Sequence, residues 1–472
     1  MKHKLLTLLV LMTISVIHLQ AHPFNASSYI IIDTDGGIDD FRALCLLLSA
    51  PDVRVLAVTV SSGVLPAEKA AVKVRALLNS FHHNGIPVAV NKTIKDKGLG
   101  CGPAVEFQWG DEAFDSERGI ISIDSLGKWI EAEVTKKVSW IQLGSLSTIL
   151  YLHQNFPEIH KNTEKILWSS EARTDFGGFN HQIDTTLVRQ IKTLPVPLTV
   201  IQGEGNYALN FAEQLKEIWS PTADAFAGSF NDITAKSPFG MRSYDEMTAL
   251  YLHFPDKFKV ADFDSVQLLH YESESQQAEL MKQILAEYHD QTYQMMLTMP
   301  QDINFYQADI QKTATEIMYK HGMTEWVSAV NTFELHRHIG IYALIGAKMG
   351  VRAMEYFGAG IDELNVISLA GYGPPVSCMN DGIQVSTGAT LGHGLIKVME
   401  DNPQPSAKFT YLGKTIQLSL RPAYRSMIAN EIKELVRAHG LESDQYWIEV
   451  RKNALRYWLG MDRQEMFDIV EL

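Results

Sequence analysis

The chain has 472 residues, more than one ordinary hydrophobic core accommodates, so two domains are expected. Its 41 basic and 55 acidic residues give a formal net charge of −14, and no basic cluster of useful length follows the N-terminus. This balance argues against nucleic acid as a partner. The three cysteines, Cys45, Cys101 and Cys378, are too few and too widely spaced for disulfides to hold the fold together.

Residues 1–21 have the pattern of a secretory signal peptide. Lys2 and Lys4 precede an apolar run over residues 5–17, and Ala21 is a small residue suited to a cleavage site. A membrane anchor is the alternative, but the run is short for a span, and no later run approaches membrane length. We therefore expect a secreted or periplasmic protein with no membrane span in the mature chain.

Strand-like and helix-like segments alternate along the first part of the chain. The strand-like runs cover residues 29–32, 53–60, 86–90, 138–143, 166–168 and 197–201, and helical stretches separate several of them, including 41–48, 68–81 and 147–154. Such alternation predicts βαβ units. The fold class expected is α/β, with a Rossmann-like, mainly parallel sheet and flanking helices.

The C-terminal part has a different order of helix-like and strand-like segments. A helical stretch at 341–357 precedes a strand-like run at 364–369 and a Gly/Pro turn at 371–375. This order predicts a smaller α+β domain, with a junction somewhere within about residues 275–320. The predicted organisation is a signal peptide over 1–21, a first domain over 22–300 and a second over 301–472.

The most informative local feature is an acidic loop after the first predicted strand. Residues 33–40 read Asp-Thr-Asp-Gly-Gly-Ile-Asp-Asp, and the four carboxylates lie where open α/β sheets bind ligands. Oxygen-only ligands suit a hard cation, Ca²⁺ before Mg²⁺. The alternative is a solvated acidic turn that caps the following helix.

This loop and three later segments resemble the motifs of the inosine-uridine-preferring nucleoside hydrolase family. The loop itself is similar to that family's Asp-x-Asp-x-Gly-x-Asp-Asp signature. The later matches are the turn at 144–149, the Phe-Asn-x-x-x-Asp segment at 179–184, and the block that begins with Ser243-Tyr244-Asp245. The four matches occur in order over some 220 residues.

The resemblance implies a role for each matched position. Asp35, Asp40, Asp245 and the Ser147 carbonyl would ligate calcium, and Asp33 would support the metal loop from behind. Asp39 and Asn180 would hold ribose hydroxyls, with Asp245 also near the substrate. Asp35 would act as general base for a water that attacks the anomeric carbon.

Three positions depart from the family pattern. Gly178 stands where an acidic residue is usual, Val64 stands where Asn is usual, and Tyr244 replaces a His that acts as an acid in some members. A phenol can donate a proton but is ordinarily a weak acid. The metal ligands are therefore better preserved than the contacts to sugar and base.

A second group of residues resembles the formylmethanofuran dehydrogenase E-subunit family. His336 and His338 lie near a helix start, and the segments 377–384 and 387–394 carry Cys378 and His393. Imidazole and thiolate form a ligand set typical of zinc. The family's first-motif Cys falls on or near Gly340 here, and Ala389 replaces its second-block Cys. The alternative is a glycine-rich polar turn without metal.

The sequence therefore predicts an exported, calcium-dependent hydrolase of N-glycosidic bonds in nucleosides or related ribosides, fused to a domain that binds Zn²⁺. A periplasmic nucleoside or sugar binding protein without turnover is the first alternative, and a zinc-binding scaffold or sensor is the second. The expected partner is a small nucleoside or riboside, and a homo-oligomer is left open.

Overall fold

The computed structural model covers most of the chain beyond its N-terminus. The predicted signal peptide lies outside the described residues. These are 26–93, 101–113, 118–170, 178–203, 205–207, 210–218, 220–235, 241–263, 266–271, 276–286, 299–300, 302–441 and 443–472.

A nine-stranded sheet organises the first part of the chain, in the order β10-β11-β7-β6-β5-β1-β2-β3-β4. Eight strands run parallel and β10 pairs antiparallel at one edge. The prediction of a mainly parallel α/β sheet is confirmed. The strands are β1 Ser28–Thr34, β2 Val53–Val60, β3 Val88–Val90, β4 Ile120–Ser122, β5 Val138–Gln142, β6 Thr163–Ser169, β7 Leu198–Gln202, β10 Phe258–Phe263 and β11 Val266–Tyr271, with the small pair β8 Gly205–Asn206 and β9 Arg242–Ser243 beside them.

Helices connect and flank these strands. They are α1 Ile38–Ser49, α2 Ala67–Ser80, α3 Gly102–Glu106, α4 Ile123–Glu133, α5 Ser147–Asn155, α6 Ile159–Asn162, α7 Phe179–Ile183, α8 Leu187–Ile191, α9 Phe211–Leu215, α10 Pro221–Gly228, α11 Asp232–Ala235, α12 Glu246–His253 and α13 Gln277–Leu285, with a 3₁₀ turn at Pro255–Lys257.

The central strand β1 is apolar on both faces because helices cover both sides of the sheet. Successive side chains of a strand point to opposite faces. Ile30 and Ile32 pack into one core with α1, whereas Ile31 packs into a second core with Trp140 and Trp168. Burial on both faces explains why the strand reads as a continuous apolar run, a pattern typical of parallel sheets.

A smaller α+β domain follows, as predicted. Its mixed sheet has the order β13-β12-β14-β15-β16 and packs with a separate apolar core. The elements are α14 Ala308–Gln311, α15 Ala314–His336, α16 Ile341–Phe357, β12 Asn365–Ser368, α17 Met379–Thr387, β13 Ile396–Val398, β14 Ser406–Tyr411, β15 Lys414–Leu420, α18 Pro422–His439, α19 Asp444–Gly460 and β16 Phe467–Glu471, with 3₁₀ turns at Ile303–Phe305 and Val376–Cys378. The boundary between residues 300 and 301 stays a prediction.

The two domains meet at the amino ends of the parallel strands. Tyr29 at the start of β1 donates to Glu363 at 2.9 Å, and Arg54 at the start of β2 pairs with the same carboxylate at 2.6 Å. The Gly85 amide donates to the Tyr356 carbonyl at 2.7 Å. The acidic loop begins at the opposite end of β1. From the rise per residue of a β-strand, that end is about 20 Å away. These contacts of the second domain therefore lie at the end of the strands opposite to the acidic loop.

Within the described part of the chain, no helix is both long enough and apolar enough to cross a bilayer.

Candidate metal centre

The carboxyl ends of β1, β2, β5 and β6 bring the predicted site residues together. The acidic loop follows β1, and its last two aspartates occupy the first turn of α1. A helix N-terminus favours negative charge, but one helix end does not neutralise several carboxylates.

Asp33 is fully buried and held by hydroxyl groups. Thr59 donates to one carboxylate oxygen at 2.6 Å and Ser61 to the other at 3.2 Å. Thr148 donates as well, and burial still raises the pKa of Asp33 to about 7. Asp33 thus ties the acidic loop to the ends of β2 and α5, which fits the supporting role predicted for it.

Asp39, Asp40 and Asp245 converge. Each offers a carboxylate oxygen, and these oxygens lie within 4.8 Å of one another; the described residues contain no other such group of three potential ligands. Asp40 accepts from the Thr34 hydroxyl at 2.6 Å and from the Asp35 amide at 3.1 Å. Burial and the charge of Asp39 raise the pKa of Asp40 to about 7.

Asp35 lies near Asp40 and Asp39 but is not one of the three converging carboxylates. It is 1% exposed, and its Oδ2 has no hydrogen-bond partner. Its carboxylate accepts from the backbone N–H of Val64, so the residue that replaces the family's Asn still contributes a contact. A Cβ at Gly63 would lie 2.1 Å from Oδ2, so only glycine allows this close approach. Burial, then Asp40 and Asp39, raise the pKa of Asp35 well above its ordinary range.

This arrangement fits a hard cation. We call Asp35, Asp39, Asp40 and Asp245 the acidic cage. Its members are buried or half-buried carboxylates that repel one another, and Asp245 and Asp40 are within hydrogen-bonding distance. Burying like charges is costly unless they are paired or bind a metal. Oxygen ligands with an orphaned buried acceptor match calcium chemistry.

Ser147 and Asn180 lie on neighbouring segments of the same edge. Ser147 is buried at the first position of α5, and its hydroxyl pairs with that of Ser145 at 2.8 Å. The Asn180 amide donates to the carbonyls of Leu143 and Ser169, the latter at 3.2 Å. The Ser169 side chain also donates a hydrogen bond to Asp245. Ser169 therefore contacts both Asn180 and the acidic cage.

Tyr244 directly precedes Asp245 and is half-buried. Its hydroxyl accepts a hydrogen bond from the Arg242 guanidinium at 3.1 Å. Gly178, the other departure, has a φ of 108° at the start of α7.

Sequence reasoning missed a buried ion pair beside the cage. Arg42 and Glu246 are both fully buried, and their charged groups are 3.5 Å apart. The available signal was a single basic residue inside the apolar segment 41–48, three residues after Asp39. Glu246 gave no signal beyond its place next to Asp245.

The second predicted site is partly assembled. His336 Nδ1 contacts Asp381 at 2.7 Å, and its buried Nε2 has no hydrogen-bond partner. The rings of His336 and His338 are 4.3 Å apart. A Cβ at Gly340 would lie 3.1 Å from Nε2 of His336 and 3.2 Å from Nε2 of His338. A side chain at this position would therefore face both imidazoles, and the Cys of the family motif falls on or near this position.

Cys378 and His393 are at opposite ends of one helix. Cys378 is the N-cap of α17 and lies near Asp381, which with burial raises the pKa of the thiol. His393 contacts Asp362 at 3.1 Å and the carbonyl of Gly388, which follows the C-terminus of α17. Nine helical residues separate the two ends, about 13 Å. The structure thus places His336 beside both His338 and Asp381, but among the described residues no three ligand atoms of this region lie within 4.8 Å of one another, and His393 lies at the other end of α17.

Fold and site together define an α/β protein with a carboxylate centre at the carboxyl edge of its sheet. The family model described as inosine-uridine preferring nucleoside hydrolase matches residues 30–265, half of the chain, and the chain belongs to this family. The model described as "FmdE, Molybdenum formylmethanofuran dehydrogenase operon" matches residues 335–468. Both resemblances seen in the sequence are confirmed.

Curated relatives and solved structures align with the first domain. A pyrimidine-specific ribonucleoside hydrolase RihA of Shewanella baltica is 26% identical over 261 residues, covering 50% of this chain and 80% of the relative. The RihA of Shewanella oneidensis is 25% identical, covering 49% and 80%. The inosine-uridine preferring nucleoside hydrolase structure from Bacillus anthracis has 17% identity and a TM-score of 0.46, covering 55% of this chain and 100% of that one.

Proposed function

We propose that this protein is an exported, calcium-dependent hydrolase of N-glycosidic bonds in nucleosides or related ribosides. The observation that carries the proposal is the acidic cage, in which Asp39, Asp40 and Asp245 converge and Asp35 keeps a buried oxygen without a partner. Family membership of the first domain and its pyrimidine-specific relatives support the same reaction class.

The residues of the cage and their neighbours have separate proposed roles in the reaction. Asp35, Asp40, Asp245 and the Ser147 carbonyl would hold calcium, which supplies fixed positive charge that orients a water and the sugar hydroxyls. Asp39 and Asn180 would bind ribose hydroxyls. Asp35 takes a proton from the water as the water oxygen bonds to the anomeric carbon and the bond from that carbon to the base nitrogen breaks. The nearby carboxylates supply the negative potential that stabilises an oxocarbenium-like sugar.

The base leaves with the bonding electrons and needs a proton. Tyr244 is the donor that we propose, supported by its place beside Asp245 and by the Arg242 contact to its hydroxyl. Tyr244→Phe should lower kcat for nucleosides by about 100-fold. It should change kcat by less than about threefold for an aryl riboside whose leaving group needs no proton. Equal losses on both substrates would contradict the assignment.

For the second domain we propose a zinc site built on His336, His338 and Cys378. Asp381 on Nδ1 of His336 orients its ring and leaves Nε2 for a metal, a pairing common around ligating histidines. Export is supported by the basic and apolar pattern of residues 1–21. Elemental analysis of the purified protein should find zinc that a Cys378→Ser change lowers; an unchanged zinc content would contradict the role of Cys378.

The decisive experiment follows free sugar released from a panel of purine and pyrimidine nucleosides, with calcium or with a chelator. We expect release with calcium only, and a loss of at least about 1,000-fold in Asp35→Ala, because that residue is both ligand and general base. Tight binding of a nucleoside that stays intact would favour the rival function, a binding protein without turnover. No release and no binding, with zinc present, would favour a scaffold or sensor.

A further inference from the structure

Two sequence-distant segments form the acidic cage, and one buried ion pair joins them. The first segment is the start of α1, which carries Asp39 and Asp40; the second is the start of α12, which follows Asp245. Arg42 belongs to the first and Glu246 to the second, and the two are 3.5 Å apart with no exposed surface.

Arg42 is on the cage side of α1 and is anchored on several elements. Residues three apart on a helix share a face, so Arg42 lies one turn behind Asp39. Its Nε donates to the Ser229 hydroxyl at 2.9 Å, and Nη1 donates to the Arg242 carbonyl at 3.3 Å. Its guanidinium also lies over the ring of Phe230 at 4.5 Å. Its positive charge offsets part of the effect of burial on the pKa of Asp39.

Glu246 holds the other segment from the inside. Its Oε1 accepts from the Tyr207 hydroxyl at 2.5 Å, and its Oε2 accepts from the backbone N–H of Tyr244 at 2.9 Å. The Glu246 carboxylate therefore fixes the backbone turn that carries Tyr244 and Asp245.

The geometry of the Arg42–Glu246 ion pair suits the positioning of the two segments better than it suits stabilisation of the fold. The 3.5 Å between the Arg42 and Glu246 charged groups is longer than the hydrogen bonds of a bidentate arrangement, which is the geometry that offsets the desolvation of two buried charges. Hydrophobic residues of similar volume in place of a buried ion pair are often as stable or more stable. The Arg42–Glu246 contact and the hydrogen bond from the Tyr244 amide to Glu246 link the two sides of the cage, whose carboxylates repel one another.

We infer that Arg42 and Glu246 are positioning residues that set the distance between the two sides of the acidic cage, so that its calcium affinity depends on their pairing. The inference rests on the proposed calcium site. It assigns no contact with substrate to either residue.

The test is calcium titration calorimetry on the full chain, which needs no catalytic turnover. Arg42→Met and Glu246→Gln should each weaken calcium binding by about 10- to 100-fold, the range seen when groups that orient metal ligands are removed. Arg42→Lys should lose less than Arg42→Met, because a cation can still face Glu246.

Two further variants separate positioning from folding. The double variant Arg42→Met/Glu246→Gln has no unpaired buried charge, so it should fold even where a single variant fails, yet it should still bind calcium about 10-fold more weakly. Arg54→Met breaks another buried pair, with Glu363 at the opposite end of the sheet, and should leave calcium affinity unchanged.

Wild-type affinity in the double variant would overturn the inference and leave the calcium site intact. An equal loss of affinity in Arg54→Met would also overturn it, since the effect would then come from general destabilisation. A wild-type protein that binds no calcium would overturn the cage itself, and the inference with it.

Discussion

The acidic cage and a second cluster of buried charge in the C-terminal domain differ in how their charges are balanced. The second cluster, the buried ion network, consists of Glu325, Lys348, Glu355 and Arg463. Lys348 contacts Glu325 at 2.5 Å, and Arg463 contacts Glu325 at 3.1 Å and Glu355 at 2.5 Å. Each carboxylate therefore has a cation beside it.

The pKa shifts of Glu355 and Asp40, one carboxyl group from each cluster, have opposite signs. Burial alone would raise the pKa of Glu355, but the Arg463 guanidinium outweighs it and holds that pKa at about 2. In the cage, burial and like charge raise the pKa of Asp40 to about 7. The network is complete within the chain, whereas the cage becomes balanced only when it takes up protons or a cation. Buried like charges that no cation of the chain balances, as in the cage, indicate a ligand site.

Breaking the network should have the largest effect on stability. Lys348→Met leaves Glu325 buried with one cation instead of two and should lower the free energy of unfolding by about 3–5 kcal/mol, measured by urea denaturation. Calcium should not restore the loss. Lys452→Met, at an exposed pair with Glu449, is the control and should change stability by less than about 1 kcal/mol. A loss of that small size in Lys348→Met would show that the network is not balanced as described.

Calcium should stabilise the protein through the cage, and the gain should depend on pH. At 100 times the dissociation constant a ligand adds about 2.7 kcal/mol to the free energy of unfolding. Asp33 and Asp40 have pKa values of about 7 in the fold, above those of free carboxyls, so without metal the folded state retains protons that the unfolded chain loses. Stability without metal should therefore fall as the pH rises from about 4 to 7.

At pH 5 calcium must displace those protons, so its stabilising effect should be less than about half of that at pH 8, measured by thermal melting at fixed calcium. The network has the opposite dependence: the contribution of Glu355 is present above about pH 4.5 and is lost as the pH falls towards 2. A calcium effect that is equal at pH 5 and pH 8 would contradict the assignment of the cage as the metal site.

Neutralising one carboxylate in each cluster should change stability in opposite directions. Asp245→Asn relieves repulsion with Asp40 and lets the new amide donate to it, so stability without metal should rise by about 1 kcal/mol while the response to calcium disappears. The matched Glu325→Gln should lower stability, because Lys348 and Arg463 lose their shared partner. A fall in both variants would mean that the cage is already balanced without metal.

Short-range sequence patterns predicted the central strands and the acidic loop. The apolar runs predicted β1 and β2, because a strand buried on both faces must be apolar throughout. The residues of the acidic loop were recognisable because four carboxylates at the end of such a strand have few structural uses. The resemblance of the later motifs to those of the nucleoside hydrolase family then indicated Ser147, Asn180 and Asp245, which lie at the same edge of the sheet.

Tertiary structure decided what depends on contacts between distant segments. Only the fold places Arg42 against Glu246, 204 residues apart, or brings His336 to Asp381 while His393 lies at the far end of α17. Only the fold shows that the C-terminal domain contacts the amino ends of the strands, opposite to the acidic loop. The sequence alone determined that this edge carries uncompensated negative charge, because residue type fixes charge; which groups share that charge is set by packing, which no local pattern encodes.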